Sequence, residues 1–110
     1  PFNLRLFNNI PNKEDIEELL EQTALTIKKN NMTVDVNTGT FYRYPVNEIT
    51  PYSDFMKYVK KYDIPVILSS DAHHPEHVGM KIREAAEYAR KFGITEIATY
   101  SKRERILEKI

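Results

Sequence analysis

The sequence contains no cysteine. That excludes disulfides, thiolate-bound metals and cysteine nucleophiles together. Glycine is scarce, three in 110 residues, so no glycine-rich loop of the kind that cradles phosphate groups is present. Charge of one sign is missing as well: 16 Lys plus Arg stand against 16 Asp plus Glu, whereas a surface that tracks nucleic-acid phosphates normally shows an excess of cations. No nucleic-acid partner is expected. No apolar run approaches the roughly 20 residues of a membrane span, and the opening PFNLRLFNN lacks the layout of a signal peptide, which makes a cytoplasmic protein without membrane contact the default. What is present, 41% hydrophobic and 29% charged residues, describes one globular unit over residues 1–110. A domain of this size can bury roughly 65% of its unfolded surface and needs no staples. The chain opens at Pro1 rather than Met, so processing or truncation could have removed an upstream segment.

Periodicity gives the elements. After a turn at Pro11, Asn12 with Asp15 three residues on resembles a capping box, and Ile16, Leu19, Leu20, Ala24 and Ile27 form one helical stripe, predicting a helix over 13–29. MTVDVN alternates apolar and polar residues and predicts a strand over 32–37. The segment 38–50 reads as a loop longer than usual, hence a candidate functional segment. Thr50-Pro51 has the pattern of a cap followed by proline at the first helical position, with Phe55, Tyr58, Val59 and Tyr62 as the buried stripe. Pro65 to Leu68 reads as a buried strand, and a third helix is expected from near Pro75 to Phe92, with Val78, Ile82, Ala85, Ala86 and Ala89 inside and Gly93 as a left-handed cap. Ile94 to Tyr100 predicts a further strand, and Ser101 a cap for a terminal amphipathic helix holding Ile106, Leu107 and Ile110. Alternating helices and strands imply an α/β fold with a parallel sheet or barrel wall.

In such folds reactive groups gather in the loops at the carboxyl ends of strands. One of those loops, SSDAHHPEH, holds all three histidines of the chain within five positions, beside Asp71. A turn after a strand can aim Asp71 and His73, two residues apart, at one point, giving an oxygen and an imidazole nitrogen to a divalent cation. The competing reading makes Asp71 a helix cap and the histidines solvated. His73 and His77 have the spacing of a helical zinc pair, but Pro75 between them argues against a continuous helix, which leaves His74 and His77 as rim residues. Asp35 reads as a hydrogen-bonding residue of its strand. Arg43 reads either as an exposed loop residue or as a phosphate clamp, since a guanidinium offers a planar fork of donors. Ser69 and Ser70 lie near histidine, but no small-residue elbow surrounds them, so a hydrolase triad is not supported.

The segments VDVNTGTFYRYPVNEITPYSDF and IPVILSSDAHHPEHVG, at this separation, resemble the C-terminal half of the PHP (polymerase and histidinol phosphatase) superfamily, and most closely its histidinol-phosphatase-like branch. Residues 69–79 carry the strongest part of the likeness, to a strand ending Ser-Asp-Ala-His-x-Pro-Glu-x-Val-Gly. The resemblance implies the C-terminal half of a distorted seven-stranded (β/α) barrel, with two or three divalent ions (Zn, Fe or Mn) at its mouth and phosphate-ester hydrolysis as its chemistry. It implies metal ligation by Asp71 and His73 and phosphate binding by Arg43, with Asn37 and Ser70 as supporting residues behind them. The substrate class is a small phosphate monoester, most concretely histidinol phosphate of histidine biosynthesis. Three departures stand out: Asp35 for the usual Glu, Ser69 for the usual Gly, and NTGTFYR for the usual Asn-Thr-x-Gly-Leu-Arg. The other ligands of the family, a His-x-His, a middle Glu and further histidines, have no counterpart. The chain is therefore expected to be the trailing half of an enzyme, inactive alone, and to pair with its missing amino-terminal half or with copies of itself. A noncatalytic PHP-like scaffold or polymerase-associated module is the alternative of another class; a self-sufficient small α/β binding domain is a third.

Overall fold

The computed structural model describes residues 12–110, apart from the side chains of residues 13–15. The turn at Pro11, the segment PFNLRLFNN and the pairing of Asn12 with Asp15 lie outside the described residues. In order, the elements are helix α1 (Lys13–Lys29), strand β1 (Val34–Asn37), short helix α2 (Gly39–Arg43), helix α3 (Ser53–Lys61), strand β2 (Val66–Ser69), a single 3-10 turn (Pro75–His77), helix α4 (Ile82–Lys91), strand β3 (Glu96–Ser101) and strand β4 (Glu104–Lys109).

Helices α1, α3 and α4 end in the same way. The residue after the last turn is left-handed in each, Asn31 (φ 53°), Asp63 (φ 48°) and Gly93 (φ 78°), and these are residue types that enter that region at least cost. Its N–H and the next one turn back onto the helix: Gly93 N donates to Arg90 O at 2.8 Å and Ile94 N to Ala89 O at 3.2 Å. Asp63 and Ile64 repeat the pattern on Lys60 and Val59, as do Asn31 and Met32 on Lys28 and Ile27. The last carbonyls are thereby satisfied and the chain reverses toward a strand.

Strands β1 and β2 are parallel neighbours, in register from Val34↔Val66 to Asn37↔Ser69. Their inner face carries buried Val34, Val36 and Val66. Onto it pack Leu20 and Ala24 of α1, Phe55, Met56 and Val59 of α3, and Ala85 and Ala89 of α4, all buried in one cluster. Period two in the strand sends Asp35 and Asn37 to the opposite, more open face. Along the α1–α3 seam, Glu17 takes Lys57 and Tyr58, and one turn on Glu21 takes Lys61 and Tyr62.

Several expectations are corrected. Leu19, placed in the α1 stripe, is about half exposed, and the buried line runs through Leu20 and Ala24. The first strand begins at Val34, because Asn31 and Met32 are used in ending α1. The 38–50 loop contains α2. Thr50 does not cap α3: its N–H and C=O pair with Asn37 (3.1 and 2.7 Å) at the end of β1, so the helix starts at Ser53, with Tyr52 O accepting from Phe55 N and Met56 N. The helix expected from Pro75 starts at Ile82 instead, since left-handed Gly79 and Lys81 break the path, and Val78 is exposed. The terminal helix is strand β4. It pairs antiparallel with β3 from Glu96↔Lys109 to Ser101↔Glu104, around Lys102 and Arg103, both left-handed as a two-residue hairpin turn requires. Arg105 fastens this hairpin to Asn31, donating to its O (3.2 Å) and Oδ1 (2.6 Å). The architecture is mixed α/β, and among the described residues the strands form one parallel pair and one hairpin rather than a barrel wall.

Candidate functional site

Because β1 and β2 are parallel and in register, their carboxyl ends deliver two loops side by side. The loop after β1 starts at Thr38, which is fully buried; its N–H donates to Ser69 O (3.0 Å) and its hydroxyl to Met80 O (2.7 Å). Asn37 Oδ1 accepts the Gly39 N–H (2.8 Å) at the start of α2, while Asn37 Nδ2 donates to Asp35 Oδ2 (3.1 Å). One turn of α2 then lifts Arg43 back over Gly39, whose carbonyl accepts from Arg43 Nε at 3.1 Å.

The loop after β2 starts at Ser70, which is buried. Its carbonyl accepts the Tyr42 hydroxyl (2.6 Å) and its Oγ accepts the Gly79 N–H (3.1 Å), so it holds both flanks of the loop. Asp71 follows with φ 49°, a left-handed turn that aspartate tolerates. The turn sends its carboxylate onto Arg43 Nη2 and brings His73 Nδ1 within 2.8 Å of Asp71 O. Arg43 Nη1 meets the same His73 Nδ1 at 2.6 Å and Asp71 O at 3.2 Å. That ring nitrogen faces a donor and an acceptor, and can serve only one of them in either neutral tautomer. In the tautomer that donates to Asp71 O, Nε2 keeps a lone pair for another ligand.

Arg43, Asp71 and His73 are thus in contact. Hydrogen bonding to the Asp71 carboxylate raises the Arg43 pKa above its already high ordinary value, so the guanidinium is a fixed cation. Asn37 and Ser70 touch neither acidic nor imidazole group of the trio; they brace the two loops. His74 and His77 form a separate edge-on ring pair at 5.5 Å, with Tyr42 at 5.1 Å from His77. Asp35 accepts hydrogen bonds from Asn37 and from Ser69 Oγ (2.9 Å), the structural role expected of it. Yet it also lines, with Asn37, Arg43 and Asp71, an open groove of about 420 Å³. Strand parity was the available signal for that, since Asp35 shares a face with Asn37. Thr38 belongs to the candidate loop after the first strand, but its bracing role had no signal in the sequence, because a buried threonine has no pattern that separates it from any other loop residue.

Asp71 and His73 offer one oxygen and one imidazole donor, chemistry suited to zinc, iron or manganese. In number they fall short of the four to six positions such ions fill, and among the described residues no group of three or more His, Asp or Glu could hold a metal. By their chemistry the two donors could supply only a share of a metal site, and other groups would have to complete it.

Residues 55–81, from α3 through β2 to the 3-10 turn, match the family described as PHP-associated. The chain is also 36% identical over 62 residues to the probable histidinol-phosphatase of Deinococcus radiodurans, a match covering 56% of this chain and 24% of that protein. The family match contains Asp71 and His73 but stops short of Arg43, which reaches them only through the fold. These matches and the motif around Asp71 support a likeness to the C-terminal region of the PHP superfamily, and the chain spans about a quarter of the length of the relative it matches.

Proposed function

We propose that this chain is the C-terminal part of a metal-dependent phosphomonoester hydrolase of the histidinol-phosphate phosphatase type, built on the PHP barrel. The observation that carries the reading is the convergence of Arg43 on Asp71 and His73 from two loops 28 residues apart, at the carboxyl ends of adjacent parallel strands. The name of the Deinococcus relative supports the substrate class. Asp71 would give a carboxylate oxygen and His73 its Nε2 to a cluster of two or three ions (Zn, Fe or Mn) completed by the rest of a longer chain or by a second copy. Bound ions supply Lewis acidity toward a phosphoryl group and toward the water that attacks it.

The remaining work falls to residues of this chain. Arg43 presents a planar fork with a charge that no accessible pH removes, matched to two oxygens of a phosphate monoester, and it offsets the negative charge that spreads over those oxygens as the ester bond breaks. The Asp71 carbonyl fixes the His73 ring through Nδ1. Ser70, Tyr42 and Thr38 keep the two loops from separating, which holds the phosphate-binding group and the ligands in one geometry. Alone, the chain would be inactive, since it brings two donors. A noncatalytic PHP-like module would use the same loops as structure only.

The experiment is Asp71→Ala in the full-length protein, with elemental analysis and a phosphomonoester screen that includes histidinol phosphate. Loss of both bound metal and turnover is expected. Undiminished hydrolysis with a full metal complement would refute the assignment, and absence of hydrolysis in the unaltered protein would favour the noncatalytic module.

A further inference from the structure

Arg43 already holds the Asp71 carboxylate, through Oδ2, the group that a divalent cation at this loop would also use. Its Nη2 takes the Asp71 carboxylate and its Nη1 faces both His73 Nδ1 (2.6 Å) and Asp71 O (3.2 Å), so the guanidinium draws on the same carboxylate that a divalent ion needs. Two like charges cannot share that carboxylate closely without repelling each other. The placement of Arg43 is also built into the backbone beside it. Gly39 is the first residue of helix α2, directly after its cap Thr38, and its φ is not positive, so its conformation does not demand glycine. The missing side chain has a packing reason instead. A Cβ at Gly39 would collide with Arg43 Nη2, and would come within 3.0 Å of Arg43 Cζ and of Asn37 Oδ1, the atom that accepts the Gly39 N–H. The bare Cα is a seat that lets the guanidinium lie flat toward Asp71, fastened by Nε on the Gly39 carbonyl.

We propose that Arg43, seated on Gly39, is a latch that competes with the divalent cation for Asp71, so that cation binding releases the guanidinium fork to an oxyanion and the two ligands bind cooperatively. The inference rests on the proposed role of Asp71 as a ligand. It adds the order of events and a positioning residue, Gly39, which meets no substrate itself and acts through Arg43. By linkage, whatever removes the competitor tightens the cation, and an oxyanion that captures the released fork tightens it by the same factor as the cation tightens the oxyanion.

The test is a titration of the metal-stripped full-length protein with Mn²⁺, read by the loss of the free-ion paramagnetic resonance signal, with and without inorganic phosphate. In the unaltered protein phosphate should tighten Mn²⁺ by about fivefold or more, the usual lower range of such coupling. Arg43→Gln should bind Mn²⁺ more tightly by a similar factor and lose the response to phosphate. Gly39→Ala, which keeps the charge of Arg43 but unseats it, should bind Mn²⁺ more tightly than the unaltered protein and show a reduced phosphate response. Asp71→Asn should lose Mn²⁺ binding. If Asp71→Asn loses the ion while Arg43→Gln and Gly39→Ala bind it no better than the unaltered protein, the latch is overturned and the ligand role of Asp71 stands. If Asp71→Asn binds Mn²⁺ unchanged, or the unaltered protein binds none, the ligand role fails and the latch with it.

Discussion

Thr38→Val isolates one hydroxyl at the point where the two site loops are joined. The side chain is fully buried, and its Oγ has one proton to give. Met80 O at 2.7 Å is the nearer acceptor, while Ser69 O at 3.4 Å already takes the Thr38 N–H. Valine keeps the shape and removes that bond. A buried acceptor deprived of its donor costs about 1–3 kcal/mol, and the methyl that replaces the hydroxyl returns less than about 0.8 kcal/mol of burial. A net loss of about 1–2 kcal/mol is expected. With a urea slope of about 2 kcal/mol per molar, the middle of the usual range, the unfolding midpoint should fall by roughly 0.5–1 M. The loss should be felt locally too: with the turn at 79–81 released from β1, limited proteolysis should cut between residues 72 and 81 faster than elsewhere. A midpoint within about 0.2 M of the unaltered protein, with unchanged cleavage of that loop, would show that the Thr38 hydroxyl does not hold the turn.

Two further outcomes follow from other parts of the molecule. The Glu21 carboxyl lies below its ordinary 4.5 because Lys61 and then Tyr62 hydrogen-bond to it, and Glu84 lies below it because of Lys81; these groups favour the folded state above that pH and lose their contribution as pH falls through the lowered values. Tyr58 and Lys57 are raised by hydrogen bonds with Glu17, so their contribution is complete below pH 10 and lost as pH rises through the raised values. Urea midpoints measured across pH should therefore form a plateau that drops on both sides, and Glu21→Gln should make the acid side shallower; an unchanged acid side would remove Glu21 from the account. In the hairpin, replacing Lys102-Arg103 by Asn-Gly suits two left-handed positions and should stabilise the protein by about 1 kcal/mol, with slower amide exchange over residues 96–109. A terminal helix would instead be weakened by that change, so a fall in stability would refute the β4 assignment.

Where a helix end was legible in the chain, its cause was local. Gly93 permits the left-handed backbone that ends α4, and helix α1 has the bounds its periodicity predicts, a pattern that lies within one segment; Asp63, which ends α3 in the same way, carried no such signal. The Asp71–His73 pair was legible for a similar reason, since two residues of one turn need no distant partner to be aimed together. The likeness over residues 69–79 added the chemistry that spacing could not.

Where the outcome depended on a neighbour, the local pattern failed. ERILEK has an apolar pair that suits a helix as well as a strand, and pairing with Glu96–Ser101 decided for the strand. Val78 fits a helical stripe, but the ties of Gly79 to Ser70 and Met80 to Thr38 pull the chain off that path and leave it exposed.

By itself, then, the order of amino acids determined where α1 and α4 stop, which strand residues face inward, and that an oxygen and an imidazole donor stand at the end of β2. It is the parallel register of β1 with β2 that brought Arg43 onto those donors, and the contact between the loops that made Thr38 and Gly39 matter. The physical reason is range: backbone conformation is set within a few bonds, whereas a hydrogen bond between residues 28 or 42 positions apart exists only once the chain has folded.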